Sequence, residues 1–472
     1  MNSTIDIVWL QDDLRVADNE LFQFASPPNY LVCLYVLDER WLTPFMEGET
    51  TPRIGPARLR FLWQSLMELR GELLQRGSDL LVRIGNPSDI VIELALSLNA
   101  RQVRVADHAG VEETAHIQAV AKGLSDQTQL DCIESGRLID RHALPFELEA
   151  LPASFSGFRR SVEKTSSIPA SHPAPITLPH WPDAPRGFPP LKSVCKQSAL
   201  WKPDARQGYT YQGGEAAAYE RLHDYLWHQK GGETYKKTRN GLLGANFSTR
   251  LSPWLARGCL SARQVNDAVK AWEAEHGSNE SSYWIIFELL WREYFTRAAQ
   301  LEGKKTFGSR QLAKPCAAFD AWRDADTGVP FIDAAMLELR QTGWLSNRAR
   351  QNVASFLVKD LDVDWRLGAL WFEHCLIDYD VASNWGNWRY IAGIGRDPHQ
   401  NRYFNVLKQA GQYDPKGLYV AHWLKQLEKL PYGLERHQPW RSDPETFSSP
   451  YVEPLQWERW LIPWSKLGNN AV

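Results

Sequence analysis

Metal-ligand spacing is missing from this chain. Its six cysteines, Cys33, Cys132, Cys195, Cys259, Cys316 and Cys375, never stand as Cys-x-x-Cys, and its twelve histidines never pair as His-x-x-x-His. This argues against a zinc site, an iron–sulfur cluster or a disulfide framework, and no metal is expected. Long apolar runs are also missing, as is a charged-then-apolar leader, so a cytoplasmic chain without a membrane span is expected. Excess charge is lacking too: 53 Lys and Arg against 56 Asp and Glu leave a formal net charge of −3. That balance excludes indiscriminate nucleic-acid binding, which needs cations in surplus. A local basic face remains available in Arg348, Arg350, Arg389, Arg396 and Arg402, with Lys236, Lys237 and Arg239 upstream; about half are expected to be paired. No internal repeat is evident.

What the chain has is length, with 472 residues, and 21 tryptophans. The length exceeds what one core supports, so two domains with a connecting segment are expected. So many large aromatics suit stacking or electron transfer. Over residues 1–135, short apolar runs at 5–10, 30–36, 80–84, 103–106 and 130–133 alternate with helical spacing at 57–75, 87–98 and 112–124. Alternation of this kind predicts an α/β domain with a doubly wound parallel sheet. Asn86 or Ser88 is the expected cap of the helix that follows the third strand. Residues 136–212 read as a linker, since prolines crowd 166–190 and force an extended path over a surface. From 213 to 472 strand signals vanish. Helical spacing at 216–227, 262–274, 283–299, 331–339 and 347–359 predicts an all-α domain, with a packed end around Trp460 and Trp464.

Residues 378–390, Asp-Tyr-Asp-Val-Ala-Ser-Asn-Trp-Gly-Asn-Trp-Arg-Tyr, carry the chemistry. Asp378, Asp380, Asn384 and Asn387 among Trp385, Trp388 and Tyr390 are too polar for a core and too aromatic for a solvated loop. They suit the wall of a pocket for a planar ligand with polar edges. The plainer alternative is a helix start capped by Ser383 or Asn384. Ser248, Thr249 and Ser252 stand at an expected helix start, where backbone N–H groups and the helix dipole hold phosphate. Gly393-Ile-Gly395 lacks a preceding strand and reads as a tight turn. Glu288 and Arg292 have the i, i+4 spacing of a surface pair.

The wording of 378–390 resembles the flavin-binding signature of the photolyase and cryptochrome family, and Ser-Asn-Trp-Gly-Asn-Trp-x-Tyr resembles its DASH branch in particular. Similar wording at 9–19, 238–261, 287–295, 328–333, 343–366 and 401–409 extends the likeness over nearly the whole chain. The resemblance implies a helical FAD-binding domain. Tyr235, Ser248, Thr249, Arg250, Leu251 and Ser252 would grip the pyrophosphate and ribityl chain. Asp378 and Asp380 would flank the isoalloxazine edge, with Arg350 as ion-pair partner of Asp378, and Asn384 would face flavin N5. An amide there both accepts and donates, which suits every redox state of the ring. Glu288 and Trp291 match the acid and the ring that meet a cyclobutane pyrimidine dimer, with Asn347 and Arg348 lining the lesion site. Relatives acting on (6-4) photoproducts carry histidine where Asn347 stands. Gln351 and Tyr390 replace a methionine and a second tryptophan of duplex-acting enzymes. Trp388 and Trp365 match the inner and middle tryptophans of the family's electron chain. The outer one is displaced: residues 311–317 depart from the pattern, leaving Trp322 as the nearest substitute.

The expected activity is blue-light repair of cyclobutane dimers by a deoxyribodipyrimidine photolyase, preferentially in single-stranded DNA, where no base pair must be opened. The alternative is a non-catalytic photoreceptor or DNA-binding regulator of the cryptochrome type, which in many relatives relies on a C-terminal extension not expected here. A monomer is expected. A 5,10-methenyltetrahydrofolate antenna would be held by Glu112 or Glu113, because Gly110 occupies a place often held by Glu.

Overall fold

The computed structural model describes residues 4–44, 46, 48–308, 312–396 and 402–462; Gln311 and Trp464 lie outside the described residues. The five apolar runs form β1 (Ile5–Leu10), β2 (Tyr30–Asp38), β3 (Leu80–Gly85), β4 (Gln102–Ala106) and β5 (Gln129–Ile133). All pairings are parallel, in the order β3-β2-β1-β4-β5. Both faces of β2 are buried, which explains why its sequence is continuously apolar rather than alternating. Helix α1 (Pro56–Gln75) covers one face, while α2 (Pro87–Ser97) and α3 (Val111–Gly123) cover the other. Asn86, not Ser88, caps α2, its side chain accepting from the Ser88 amide at 3.1 Å. Strand order reverses between β1 and β4, so the crevice beyond their C-terminal ends is the natural ligand position.

The proline-crowded segment runs extended along this domain. Its backbone is tied by Leu178 N to Arg76 O at 2.9 Å, Leu31 N to His180 O at 3.0 Å and Val82 N to Gly187 O at 2.9 Å. Within the linker residues, α4 (Phe155–Thr165) forms a helix that prolines do not interrupt. The C-terminal half is helical, as the spacing predicts. Its main elements are Glu215–His223, Ala262–His276, Glu280–Glu302, Pro330–Thr342, Asn347–Ser355, Trp365–Cys375 and Val381–Ala392. Among the described residues, no helix is long and apolar enough to cross a membrane.

The halves share a core. Val8, Leu10 and Leu31 of the sheet belong to one apolar cluster with Trp254, Leu289 and Tyr294 of the helical half. Gly258 lies where that contact is tightest: its φ is +63°, and a Cβ there would sit 2.1 Å from the Asp12 carbonyl oxygen. Only glycine meets both demands.

A second core, drawn almost entirely from the helical half, contains two buried carboxyls on helix Pro330–Thr342, Asp333 and Glu338. Glu338 accepts from the Tyr419 hydroxyl at 2.6 Å, and burial pushes its pKa up to about 7. The folded chain therefore keeps a proton there that the unfolded chain has released above pH ~4.3. This contribution to stability is complete below that pH and is lost as pH rises through about 7. Replacing the carboxyl with an amide (Glu338→Gln) should stabilise the protein relative to the parent by on the order of 2 kcal/mol more at pH 8 than at pH 5. Denaturant unfolding at the two pH values checks this; equal differences at both would show that Glu338 ionises normally.

Candidate functional site

Helix Val381–Ala392 begins where Asp380 accepts from the Ser383 amide at 2.7 Å, so Asp380 is the cap rather than Ser383 or Asn384. This start turns Asn384 and Trp388 inward while Asn387 stays exposed. Helix Asn347–Ser355 begins at Ser346, which accepts from the Ala349 amide at 3.2 Å and sets Asn347, Arg350 and Gln351 on the facing side. Between these helices lies a cavity of about 110 Å³ that opens to solvent, bounded by Asn347, Arg350, Gln351, Asp378, Asp380, Asn384, Trp388 and Tyr390 together with Phe372 and Ala354. Eight residues singled out in the sequence thus converge on one hollow.

Its lining mixes polar side chains with Phe372, Trp388 and Ala354. Arg350 donates to Asp378 at 2.7 Å and to the Leu345 carbonyl at 2.8 Å. The other Asp378 carboxylate oxygen is buried without a hydrogen-bond partner, as is the Gln351 amide oxygen. The Asn384 amide nitrogen donates to the Ala369 carbonyl at 3.0 Å, which leaves its oxygen without a protein donor among the described residues. Buried acceptors without donors are costly, and a flat heterocycle with N–H edges would satisfy them. The residues present fit an isoalloxazine ring.

The loop over residues 245–251 is organised by a residue that spacing did not reveal. Arg221, 1 % exposed, donates to the carbonyls of Thr249 at 3.0 Å, Ala245 at 3.0 Å and Ser248 at 3.1 Å, and to the Asn246 side chain at 3.1 Å. With the carbonyls drawn to Arg221, the amides of Ser248, Thr249 and Arg250 find no acceptor among the described residues. Such an array of free N–H groups suits an anion. Ser252 opens the short helix Ser252–Ala256; Ser248 and Thr249 lie in the preceding loop, not on the helix. Arg250 adopts a φ of +56°, and its guanidinium lies 3.9 Å over Trp344 while donating to the Gly244 carbonyl at 2.6 Å. Leu251 and Tyr235 are buried.

Glu288 is partly buried and pairs with Arg239, not with Arg292. Arg292 instead donates to the Leu255 carbonyl at 3.1 Å and approaches Asp380 at 3.8 Å. Burial raises the Glu288 pKa above the ordinary range, with Arg239 opposing. Asn240, next in the chain, accepts from Arg348 at 2.9 Å, so Glu288, Arg239, Asn240 and Arg348 form one polar row. Trp291 stacks on Phe155 of α4 at 3.7 Å and meets Tyr390 edge-on at 6.3 Å. Arg402 lies 4.3 Å over the Tyr390 ring. Of the other basic candidates, Arg389 and Arg396 both pair with Glu302, and Lys236 pairs with Glu280.

The tryptophans form two pairs. Trp388 meets Trp322 at 6.2 Å, both buried, and Trp365 meets Trp385 at 5.6 Å. A second cavity of about 400 Å³ lies between the sheet domain and the helices and is lined by Trp41, Arg53, Glu112, Glu113, Phe307 and Trp385 among others. Glu112 pairs with Arg53 at 2.5 Å, and Glu113 lies 3.6 Å from His108. The segment between Asp378 and Asp380 is tied to the sheet domain: Arg257 donates to the Tyr379 carbonyl at 2.7 Å and pairs with Asp12 at 2.8 Å.

Known proteins resemble this chain in sequence and fold. The family model described as "DNA photolyase" matches residues 6–179, and "FAD binding domain of DNA photolyase" matches residues 284–456. The chain is 42% identical over 455 residues to Cryptochrome DASH of Gloeobacter violaceus, covering 93% of this chain and 89% of that one. It is 40% identical over 481 residues to Cryptochrome DASH of Danio rerio, covering 96% and 91%. Among solved structures it resembles a Synechocystis sp. cryptochrome, with a TM-score of 0.86 at 38% identity, covering 98% and 95% of the two chains. A bacterial class III photolyase from Agrobacterium tumefaciens has a TM-score of 0.78 at 25% identity, covering 96% and 95%.

Removing the cation that shapes the loop tests its part in ligand binding. Arg221→Met leaves three carbonyls unsatisfied at about 1–3 kcal/mol each, so flavin retained through purification should fall at least about tenfold. The ratio of visible flavin absorbance to protein absorbance reports this, with circular dichroism as a check on folding. Full flavin retention in a folded variant would show that the loop does not depend on Arg221.

Proposed function

The chain belongs to the DNA photolyase and cryptochrome family, in its DASH branch, and from that membership we propose that it is a deoxyribodipyrimidine photolyase. In this reading it repairs cyclobutane pyrimidine dimers under blue light, preferring single-stranded DNA. The observation that carries the proposal is the shared cavity: the flavin-edge residues Asp378, Arg350 and Asn384 and the lesion-side residues Asn347, Gln351 and Tyr390 line one hollow. Electron transfer demands such short separation, and a receptor without repair activity has no need of it. Bound there, reduced FAD supplies the electron on excitation.

The protein's own groups bind, orient and hold protons. Arg350 pairs with Asp378 and fixes its carboxylate on the cavity wall. Asn384 is fixed by donating to the Ala369 carbonyl, and its oxygen would accept from the N5 edge of a bound flavin. Glu288, whose carboxyl pKa burial pushes above the ordinary range while Arg239 opposes the shift and keeps the group in place, is the hydrogen-bond partner of the dimer carbonyl. Arg348 and Asn347 complete the lesion side, and Trp291 supplies apolar contact with its remaining face. Trp388 passes electrons toward the ring cavity from Trp322 or Trp365.

Strand preference follows from Tyr390. Arg402 covers one of its faces, so the ring offers little stacking surface to a nucleotide pair extracted from duplex, where unpairing costs about a few kcal/mol. A dimer in single-stranded DNA avoids that penalty. We assign the cavity between the halves to a methenyltetrahydrofolate antenna, which Glu112 or Glu113 would hold, with Trp41 and Trp385 among the lining. The working protein is a cytoplasmic monomer.

Illuminated oligonucleotides carrying a single dimer, followed by chromatography of the repaired product, test the assignment. Repair should be faster on single strands than on duplex by about tenfold or more, the factor that a stacking deficit of ~1.4 kcal/mol produces. Glu288→Ala should reduce repair by at least about tenfold with flavin still bound. No repair of either substrate by the illuminated, flavin-loaded protein would favour the photoreceptor instead.

A further inference from the structure

We propose that Tyr403 is the terminal electron donor of the tryptophan chain, losing an electron to an oxidised tryptophan and its phenolic proton to Asp360. The inference rests on the light-driven tryptophan relay described above. It begins with the turn Phe356–Asp360, a single π-turn that follows helix Asn347–Ser355. Leu357 of that turn and the Trp388 indole both crowd Gly368: a Cβ there would stand 2.2 Å from the indole and 2.7 Å from the Leu357 side chain. Phe356, its neighbour, stacks on Trp457 with ring centres 6.2 Å apart and planes 28° apart. Asp360, at the end of the turn, accepts from the Tyr403 hydroxyl at 2.8 Å. Trp457, fully buried, donates from Nε1 to the same hydroxyl oxygen at 2.9 Å. One short turn thus connects the inner tryptophan to a hydrogen-bonded Trp457, Tyr403 and Asp360 relay.

The relay is chemically complete. An oxidised tyrosine is strongly acidic, so one-electron loss from a phenol needs a base within hydrogen-bond distance. Asp360 qualifies: no cation pairs with it among the described residues, and its second oxygen is buried without a partner. Burial lifts its pKa to about 6, so it is ionised at neutral pH yet takes a proton readily. In the step, a tryptophan cation radical left by flavin photoreduction gains an electron and becomes neutral tryptophan. Tyr403 becomes a neutral phenoxyl radical as its O–H bond breaks, and the Asp360 carboxylate becomes the acid. Charge and atoms balance with no further reactant. The segment carrying Tyr403 is anchored on both sides, Arg402 over Tyr390 and the Phe404 amide on the Ser355 hydroxyl at 3.0 Å.

The test uses the flavin-loaded protein with oxidised flavin, pulsed with blue light and followed by time-resolved absorption and electron paramagnetic resonance. The parent should yield a tyrosyl radical whose spectrum narrows when ring-deuterated tyrosine is incorporated. Tyr403→Phe should abolish that signal and shorten the charge-separated lifetime at least about tenfold, because the tryptophan radical then returns its hole directly. Asp360→Asn, which keeps the phenol and removes its base, should lower the tyrosyl yield at least about fivefold, with flavin content and circular dichroism unchanged. Tryptophan radicals with the same tyrosyl signal in Tyr403→Phe would overturn the inference while leaving the relay standing. The absence of any tryptophan radical in the parent would remove the relay itself, and the inference with it.

Discussion

The buried guanidinium of Arg257 is the constraint on which the rest of the molecule depends. It reaches Asp12, just beyond β1, and the carbonyl of Tyr379, the residue between the two acids of the candidate cavity. A charge this deeply buried is tolerated only when its partners are held rigidly, and removing either would leave the other uncompensated at several kcal/mol. The sheet domain and the cavity wall are therefore set at one separation. Gly258, pressed on the Asp12 carbonyl, permits the approach.

Buried arginines perform the same task elsewhere. Arg221 gathers three carbonyls of the 245–249 loop, and Arg297 joins Glu293, Glu134 and the Ile139 carbonyl beneath the linker. Each converts irregular backbone, which would otherwise carry unsatisfied groups, into a fixed surface. The planar five-donor fork suits this use where lysine would not. An overall charge near zero conceals how many cations are spent internally, and it explains why so few of the basic residues near the signature remain free to meet phosphate.

Around the cavity, polar groups are arranged for ligands rather than for one another. Asp378 and Gln351 keep buried acceptors open, while Glu288 is held by Arg239 in surroundings that favour its protonated form. Such unsatisfied or perturbed groups lower stability, and their concentration at one place is the mark of a site built for binding and reaction.

Much was legible in one dimension because it follows from local rules. The five apolar runs, the helices between them and the helical second half come from periodicity, and strands buried on both faces announce a parallel sheet. Asp378, Asn384, Asn347 and Tyr390 were recognisable by wording, which spacing alone would have left as a helix start. Arg221 and Asn240 were not legible, and Arg239 was legible only as part of a basic face, because their roles arise from partners distant in sequence and no period marks them. Nor was the pairing of Glu288 with Arg239 in place of Arg292, since a helix offers both neighbours and only packing selects between them. Which tryptophans touch, and that Tyr403 leans on Asp360 and Trp457, were likewise decided in three dimensions. Local propensity and patterning specify elements, whereas the meeting of distant side chains depends on how those elements pack, and that depends on volume and buried charge throughout the fold.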